Sequence, residues 1–503
     1  MDPRAAQPQG TANMLVSILP KTSAPTTRRP FLMATVVLLA LCSGAFAQTV
    51  RSLKHQPPDG VQVTFQMTDG TVLAQGRGSS DWWLLTPDIA GSYLHGTWKQ
   101  VASLPSGYSP QYFASAVLAD GRLVISGGEY NLARFVLTNK CAIYDPKANT
   151  WTSLAPPVAW SYIGDSPAAV LPSGKFVVGN KLTTDMQELD PKTLTWTSLR
   201  STGKSDFDAE EGWTVLPNGM ILTADVKNAP NSEIYDPSAQ QWTTAGSTIV
   251  DLHSPSPDGC LHYGPGGKLC YYPPGEIGPQ ILRPDGTVFV TGSYTPNGGP
   301  GNTAIYDSLT GKWTTGPVFP NKDNAGDSFA ALLPNGNVLV EADSGRSYQF
   351  DGTKLIAGPQ TIGSLMVLPT GQVLVGGGTT SVYTETGTYQ TSWRPTISTH
   401  PSTVTRGSTY SISGTQFNGL SQAASYGDEL ETATNYPLVR ITNNSTGHVF
   451  YARTHDHSTM GVATGSATVS TNFDVPATIE TGASKLEVVA NGIPSVSVSI
   501  TVQ

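Results

Sequence analysis

The sequence is short of charge, short of cysteine and, past its first fifty residues, without any long apolar run. Charged residues make up 13% of its 503 positions, and only four cysteines and eight histidines occur. So little charge leaves no material for long, solvent-exposed helices laced with ion pairs. No stretch of the body approaches the ~20 apolar residues of a membrane span. Basic clusters are missing too. The formal net charge is -8, with 29 basic against 37 acidic residues. An acidic chain without a basic run is poorly matched to a phosphate backbone or an anionic bilayer, so no nucleic-acid partner is expected.

What the chain does have is glycine (52), proline (38), tyrosine (19) and tryptophan (10). That mixture suits short strands joined by tight turns. The length exceeds what one compact core normally fills, so more than one structural unit is expected.

The first 47 residues read as an upstream extension and a signal peptide. Arg28 and Arg29 precede the apolar run Phe31 to Cys42, and Ala45-Phe46-Ala47 forms an A-x-A cleavage site before Gln48. These are the parts of a secretory leader. The start codon is open among Met1, Met14 and Met33. Cleavage removes four basic residues and one acidic residue, taking the charge from -8 to -11. The expected location is extracellular or periplasmic, with no membrane span left after cleavage. In such a compartment Cys260 and Cys270, which bracket a Gly/Pro-rich segment, are expected to form a disulfide, leaving Cys141 as a buried strand residue.

The strongest signal is internal repetition. An apolar run, a polar turn ending in glycine and a second apolar run recur, as in Val117-Leu-Ala-Asp-Gly-Arg-Leu-Val-Ile125 and Leu332-Leu-Pro-Asn-Gly-Asn-Val-Leu-Val340. The turn glycines are Gly70, Gly121, Gly174, Gly219, Gly286, Gly336 and Gly371. Each phrase spells a β-hairpin, because D-G and N-G pairs supply the positive φ of a tight turn. A second phrase follows most copies, as in Ile143-Tyr-Asp-Pro-Lys-Ala-Asn-Thr-Trp151 and Ile234-Tyr-Asp-Pro-Ser-Ala-Gln-Gln-Trp242. It reads as a third strand, an Asp turn and a fourth strand opened by Trp. Four strands per repeat, seven times, predict an all-β fold: a seven-bladed kelch-type β-propeller over residues 48–393. From 394 to 503 the phrases stop. Alternating strands such as Leu438-Val-Arg-Ile-Thr442 and Lys485-Leu-Glu-Val-Val489 predict an immunoglobulin-like β-sandwich.

Kelch blades with a C-terminal sandwich resemble the galactose oxidase and glyoxal oxidase group of secreted proteins. The stretches Ser425-Tyr-Gly-Asp428, Thr434-Asn-Tyr-Pro-Leu-Val439 and Arg453-Thr-His-Asp-His-Ser-Thr-Met-Gly461 are similar to that group's early-set domain. The resemblance implies a copper held by two Tyr and two His, one Tyr cross-linked to Cys, about nine residues before the hairpin glycines. Those positions here are Val61, Tyr112, Asp165, Glu210, Ile277, Asp327 and Ile362. Only Tyr112 is a ligand type, so copper-radical oxidase activity is not expected.

In place of copper ligands, Asp165, Glu210 and Asp327 recur at one repeat position and, with Tyr112, mark the channel mouth as the candidate binding site. Two readings stand. Crowded carboxylates attract Ca²⁺, another divalent cation or a polar ligand; alternatively, each caps backbone N–H groups where a strand begins. His455 and His457, two apart on one strand, are the candidate metal pair, with Asp428, Glu429 or His448 as third ligand. Asn443-Asn-Ser445 and Asn444-Ser-Thr446 fit the glycosylation acceptor pattern. The functional expectation is a secreted binding or surface-interaction module for an extracellular glycan or protein ligand. The alternative is an oxidoreductase or metal-dependent enzyme whose site the sequence does not disclose.

Overall fold

A computed structural model describes residues 48–254, 260–263, 269–271, 275–294, 299–326, 328–426 and 433–503. Among these residues the structure is all β, relieved by 3-10 turns at Pro320–Lys322 and Thr391–Trp393. No helix there is long and apolar enough to cross a membrane.

The seven expected hairpins are all present, and each turn glycine has φ between 78° and 89°. Each hairpin opens a four-stranded antiparallel sheet. In chain order the first strands of these sheets are Thr64–Gln66, Ala114–Val117, Ala168–Val170, Thr214–Val215, Gln280–Leu282, Phe329–Leu332 and Leu365–Val367. All but one of their residues are buried, which is why they read as apolar runs without alternation. The first strands of neighbouring sheets from the second to the seventh lie side by side in chain order, and the seventh lies against the first. This arrangement is consistent with a β-propeller.

The outer half of each sheet follows from the second phrase. Asp145 Oδ1 accepts the backbone N–H groups of Lys147 and Ala148, and Asp190, Asp236 and Asp307 repeat the motif. The side chain thus imitates a backbone turn. The register then sets Tyr144, Tyr235 and Tyr306 directly opposite Trp151, Trp242 and Trp313. Ring centroids are 5.1–5.2 Å apart in all three pairs. Trp196 and Trp313 also donate their indole N–H to Ala155 and Ala245, at the ends of the preceding sheets. The aromatic phrase therefore joins sheets as well as strands.

Two features were not foreseen. The seventh sheet takes its fourth strand from Thr49–Ser52, at the far end of the described chain, paired with Ser381–Thr384. The sixth gains a fifth strand, Ala424–Tyr426, whose partner is the innermost strand, with Tyr426 opposite Phe329.

Beyond residue 395 a nine-stranded sheet runs in the order Thr396–Thr399, Thr409–Thr415, Val469–Asp474, Val449–His455, Leu438–Asn443, Gly482–Ala490, Val498–Val502, Thr403–Val404, with Ile493–Pro494 paired to Gly482–Ala490 off this path. Its strands enclose their own core, including Ile412, Ile441, Phe473, Leu486 and Ile500. The first two hairpin turns rest against this unit. Gly70 has φ 78°, and a Cβ there would lie 2.3 Å from Cγ of Tyr451, so only glycine fits. Arg453 donates to the Asp120 carbonyl at 2.6 Å, and Thr454 N–H to the Thr68 carbonyl at 3.0 Å. The opposite ends of the inner strands form the mouth, which the Ala424–Tyr426 strand reaches at Phe329.

Cys260 and Cys270 form the expected disulfide, across a ribbon of Leu261–Tyr263 and Leu269–Tyr271. Cys141 is buried, 3.1 Å from Ser126 Oγ, and burial pushes its thiol up to about 12.

Candidate functional site

The sequence-derived ring divides into two sectors. Asp327 lies outside the described residues. Asp165 and Glu210 do converge, and the cation between them is internal. Lys181, fully buried, donates to Asp165 Oδ2 at 2.6 Å and to Glu210 Oε1. Burial raises the Asp165 pKa and Lys181 opposes the shift. A second buried ammonium, Lys204, lies 3.1 Å from Glu211, 2.9 Å from Glu233 and 3.9 Å from Asp208. Asp206 instead accepts the backbone N–H of Lys227 at 2.6 Å. Burial pushes Asp225 up to about 8 and Glu211 up to about 7. Among the described residues no three His, Cys, Asp or Glu side chains stand together as a metal-holding group.

The other sector is open. A cavity of about 590 Å³ takes in three of the seven predicted positions, Val61, Tyr112 and Ile362. Its polar wall includes Gln62, Arg77, Gln111, Glu341 and Asp343, all missed in the sequence. Phe329 adds an apolar face, and Gly363, Gly377 and Gly378 expose backbone. Tyr112 starts an aromatic series: its ring lies 6.1 Å from Tyr130, which lies 5.7 Å from Phe135, both pairs edge to face. Tyr130 and Phe135 belong to a small three-stranded sheet inserted in the second repeat. Glu341 accepts the Gly363 N–H, and burial raises its carboxyl to about 7.

A signal for the missed residues was there. Seven positions after the hairpin glycines stand Arg77, Gly128, Lys181, Val226, Ser293, Asp343 and Gly378. Lys181 shows where such a side chain points, because Asp165 is the predicted mouth residue of its own repeat and Glu210 that of the next.

Among the described residues the cavity lining holds one donor of the type the resembling oxidases use, the Tyr112 phenol, and neither histidine nor cysteine. The histidine pair also departs from plain strand alternation, because Asp456 has φ 53°. The His455 ring sits between Asp456 at 2.7 Å and Asp474 at 3.1 Å. His457 is buried, stacked on Tyr436 and bonded to Thr471 Oγ1, and burial lowers its pKa to about 3. Asp428 and Glu429 lie outside the described residues, and His448 pairs with Glu480 at 2.7 Å.

No family model matches the chain, and no curated protein matches it in sequence. Among solved structures it is similar to a fungal alcohol oxidase of the AA5 family in complex with copper, at 15% identity and a TM-score of 0.48, over 90% of this chain and 98% of that one. It is also similar to a streptogramin B lyase, at 12% identity and TM-score 0.44, over 67% and 97%. A virginiamycin B lyase from Staphylococcus aureus with quinupristin gives 10% identity and TM-score 0.45, over 67% and 99%. These likenesses carry nothing about activity.

Proposed function

We propose that the chain is an exported seven-bladed kelch-type β-propeller, residues 48–393, with an immunoglobulin-like sandwich at 394–503, and that it acts as a binding module for an extracellular glycan. The observation that carries the reading is the cavity of about 590 Å³ at the mouth, walled by Gln62, Gln111, Tyr112 and two carboxylates. Its size is that of a site for a small ligand, and amide, phenol and carboxylate groups are the partners that sugar hydroxyls need. The Tyr112 ring supplies the apolar face on which a pyranose rests.

The test is a glycan array probed with residues 48–503, followed by titration of any hit. Saturable binding that Gln111→Ala and Tyr112→Ala abolish, at unchanged thermal midpoint, supports the reading. Binding that survives both substitutions, or no saccharide bound at all, overturns it.

A further inference from the structure

Among the described residues the charges that line the cavity stand on separate walls and form no ion pair, and that identifies a class of ligand. At the third repeat the residue seven positions past the hairpin glycine is Lys181, and it is neutralised by the mouth residues of its own repeat and the next, Asp165 and Glu210. At the first repeat the equivalent residue is Arg77, and the two equivalent partners are Val61 and Tyr112. Neither is a carboxylate. Among the described residues no ion pair or hydrogen bond engages the Arg77 guanidinium, although it lines the cavity.

At the sixth repeat the equivalent residue is Asp343, and the mouth residue of the next repeat is Ile362. Asp343 accepts side-chain hydrogen bonds from Ser328, at 3.5 Å, and from Asn324, and Glu341 beside it accepts the Gly363 N–H. No lysine or arginine among the described residues forms an ion pair with either carboxylate. Between the cationic and anionic walls lies the seventh repeat, which contributes glycine: Gly363, Gly377 and Gly378 line the cavity. The same interlocking that closes one sector of the mouth with an internal ion pair leaves this sector, among the described residues, with one cation on one side and two acids on the other.

We propose that the cavity takes a zwitterionic ligand, its carboxylate on Arg77 and its ammonium on Asp343 and Glu341. This rests on the glycan reading of the same cavity and narrows it to a sugar unit bearing both an unsubstituted amine and a carboxylate; the free ends of a short peptide present the same chemistry. A charge-assisted hydrogen bond at each end favours the doubly charged ligand over one lacking either group.

The test is isothermal titration of residues 48–503 with muramic acid, glucosamine, glucuronic acid, N-acetylglucosamine and triglycine. Muramic acid is expected to bind roughly tenfold or more tightly than either singly charged sugar, since one charged contact is worth about that factor. Arg77→Gln should erase the advantage of the carboxylate, and Asp343→Asn that of the amine, with thermal midpoints unchanged because both side chains are exposed. Triglycine binding as tightly as muramic acid supports the charge pairing and assigns the ligand to a peptide. Equal affinity for N-acetylglucosamine and muramic acid, indifferent to both substitutions, overturns this inference and leaves the glycan reading standing. No binding of any probe overturns both.

Discussion

Lys181 donates to Asp165 across 2.6 Å inside the protein, and the same ammonium reaches Glu210 of the following repeat. One buried cation thus ties two consecutive repeats at the ends of the inner strands opposite the hairpin turns. Two carboxylates that would otherwise repel are held together by it.

Lys181→Met should therefore cost far more than an apolar exchange at a buried site normally does. It strands two carboxylates, and breaking a buried pair by removing one partner costs about 3–5 kcal/mol. Urea unfolding of residues 48–503 measures the loss. Adding Asp165→Asn and Glu210→Gln to the same chain should return much of it, because neutral amides no longer need the ammonium. A single variant as stable as the parent would show that the pair contributes nothing.

Stability should fall as pH rises from about 4 to about 8. Burial places Asp225 at about 8 and Glu211 at about 7 in the folded chain. Unfolded, both titrate near 4. Between those values the folded state holds protons that the unfolded state has released, so raising pH favours unfolding. Their stabilising contribution is complete below the unfolded pKa and gone above the folded one. Asp456 and Asp474, held low by His455 and their other partners despite partial burial, act in the opposite sense at more acid pH. Buried His457, lowered to about 3, opposes the decline up to the ordinary imidazole range near 6.5, so the fall is steepest above it. Thermal midpoints from pH 4 to 9 should decline across neutrality, and Asp225→Asn should flatten that slope.

The strand Thr49–Ser52 should be worth more than its four exposed residues indicate. It pairs along its whole length with Ser381–Thr384 and completes the last sheet with the first segment of the described chain. A chain beginning at Leu53 leaves that sheet with three strands and an open edge. Its thermal midpoint is expected several degrees below that of 48–503, with a rise in oligomers by light scattering. An unchanged melt would make the strand an ornament.

Thiol chemistry gives a simple count. In residues 48–503 two of three cysteines are bonded to each other and the third is buried. Native protein should release no colour with an aromatic disulfide reagent, unfolded unreduced protein one thiol, and unfolded reduced protein three. Reactivity of the native form would contradict the placement of Cys141 beside Ser126.

The hairpins, the Asp turns and the Tyr–Trp cross-strand pairs could all be read from the chain, because each depends on residues a few positions apart. A glycine forced to positive φ, or an Asp bonding two residues on, behaves alike in every repeat and leaves a visible phrase. The Cys260–Cys270 link was legible for the same reason of nearness. His455 and His457 show the limit of such reading: alternation assumes an unbroken strand, and the positive φ of Asp456 breaks it.

What the amino-acid order determined alone was therefore the unit: seven hairpins, their turns and their aromatic pairs, each stabilised within its own stretch of chain. What only the tertiary structure decided was how units meet. Thr49–Ser52 closes a sheet more than 300 residues away, and Lys181 finds Glu210 on the next sheet while Arg77, at the same repeat position, meets Val61 and Tyr112 in a cavity. Those pairings are set by the side-by-side packing of the innermost strands. A charge's fate at the mouth depends on its neighbour's neighbour, which no local pattern records.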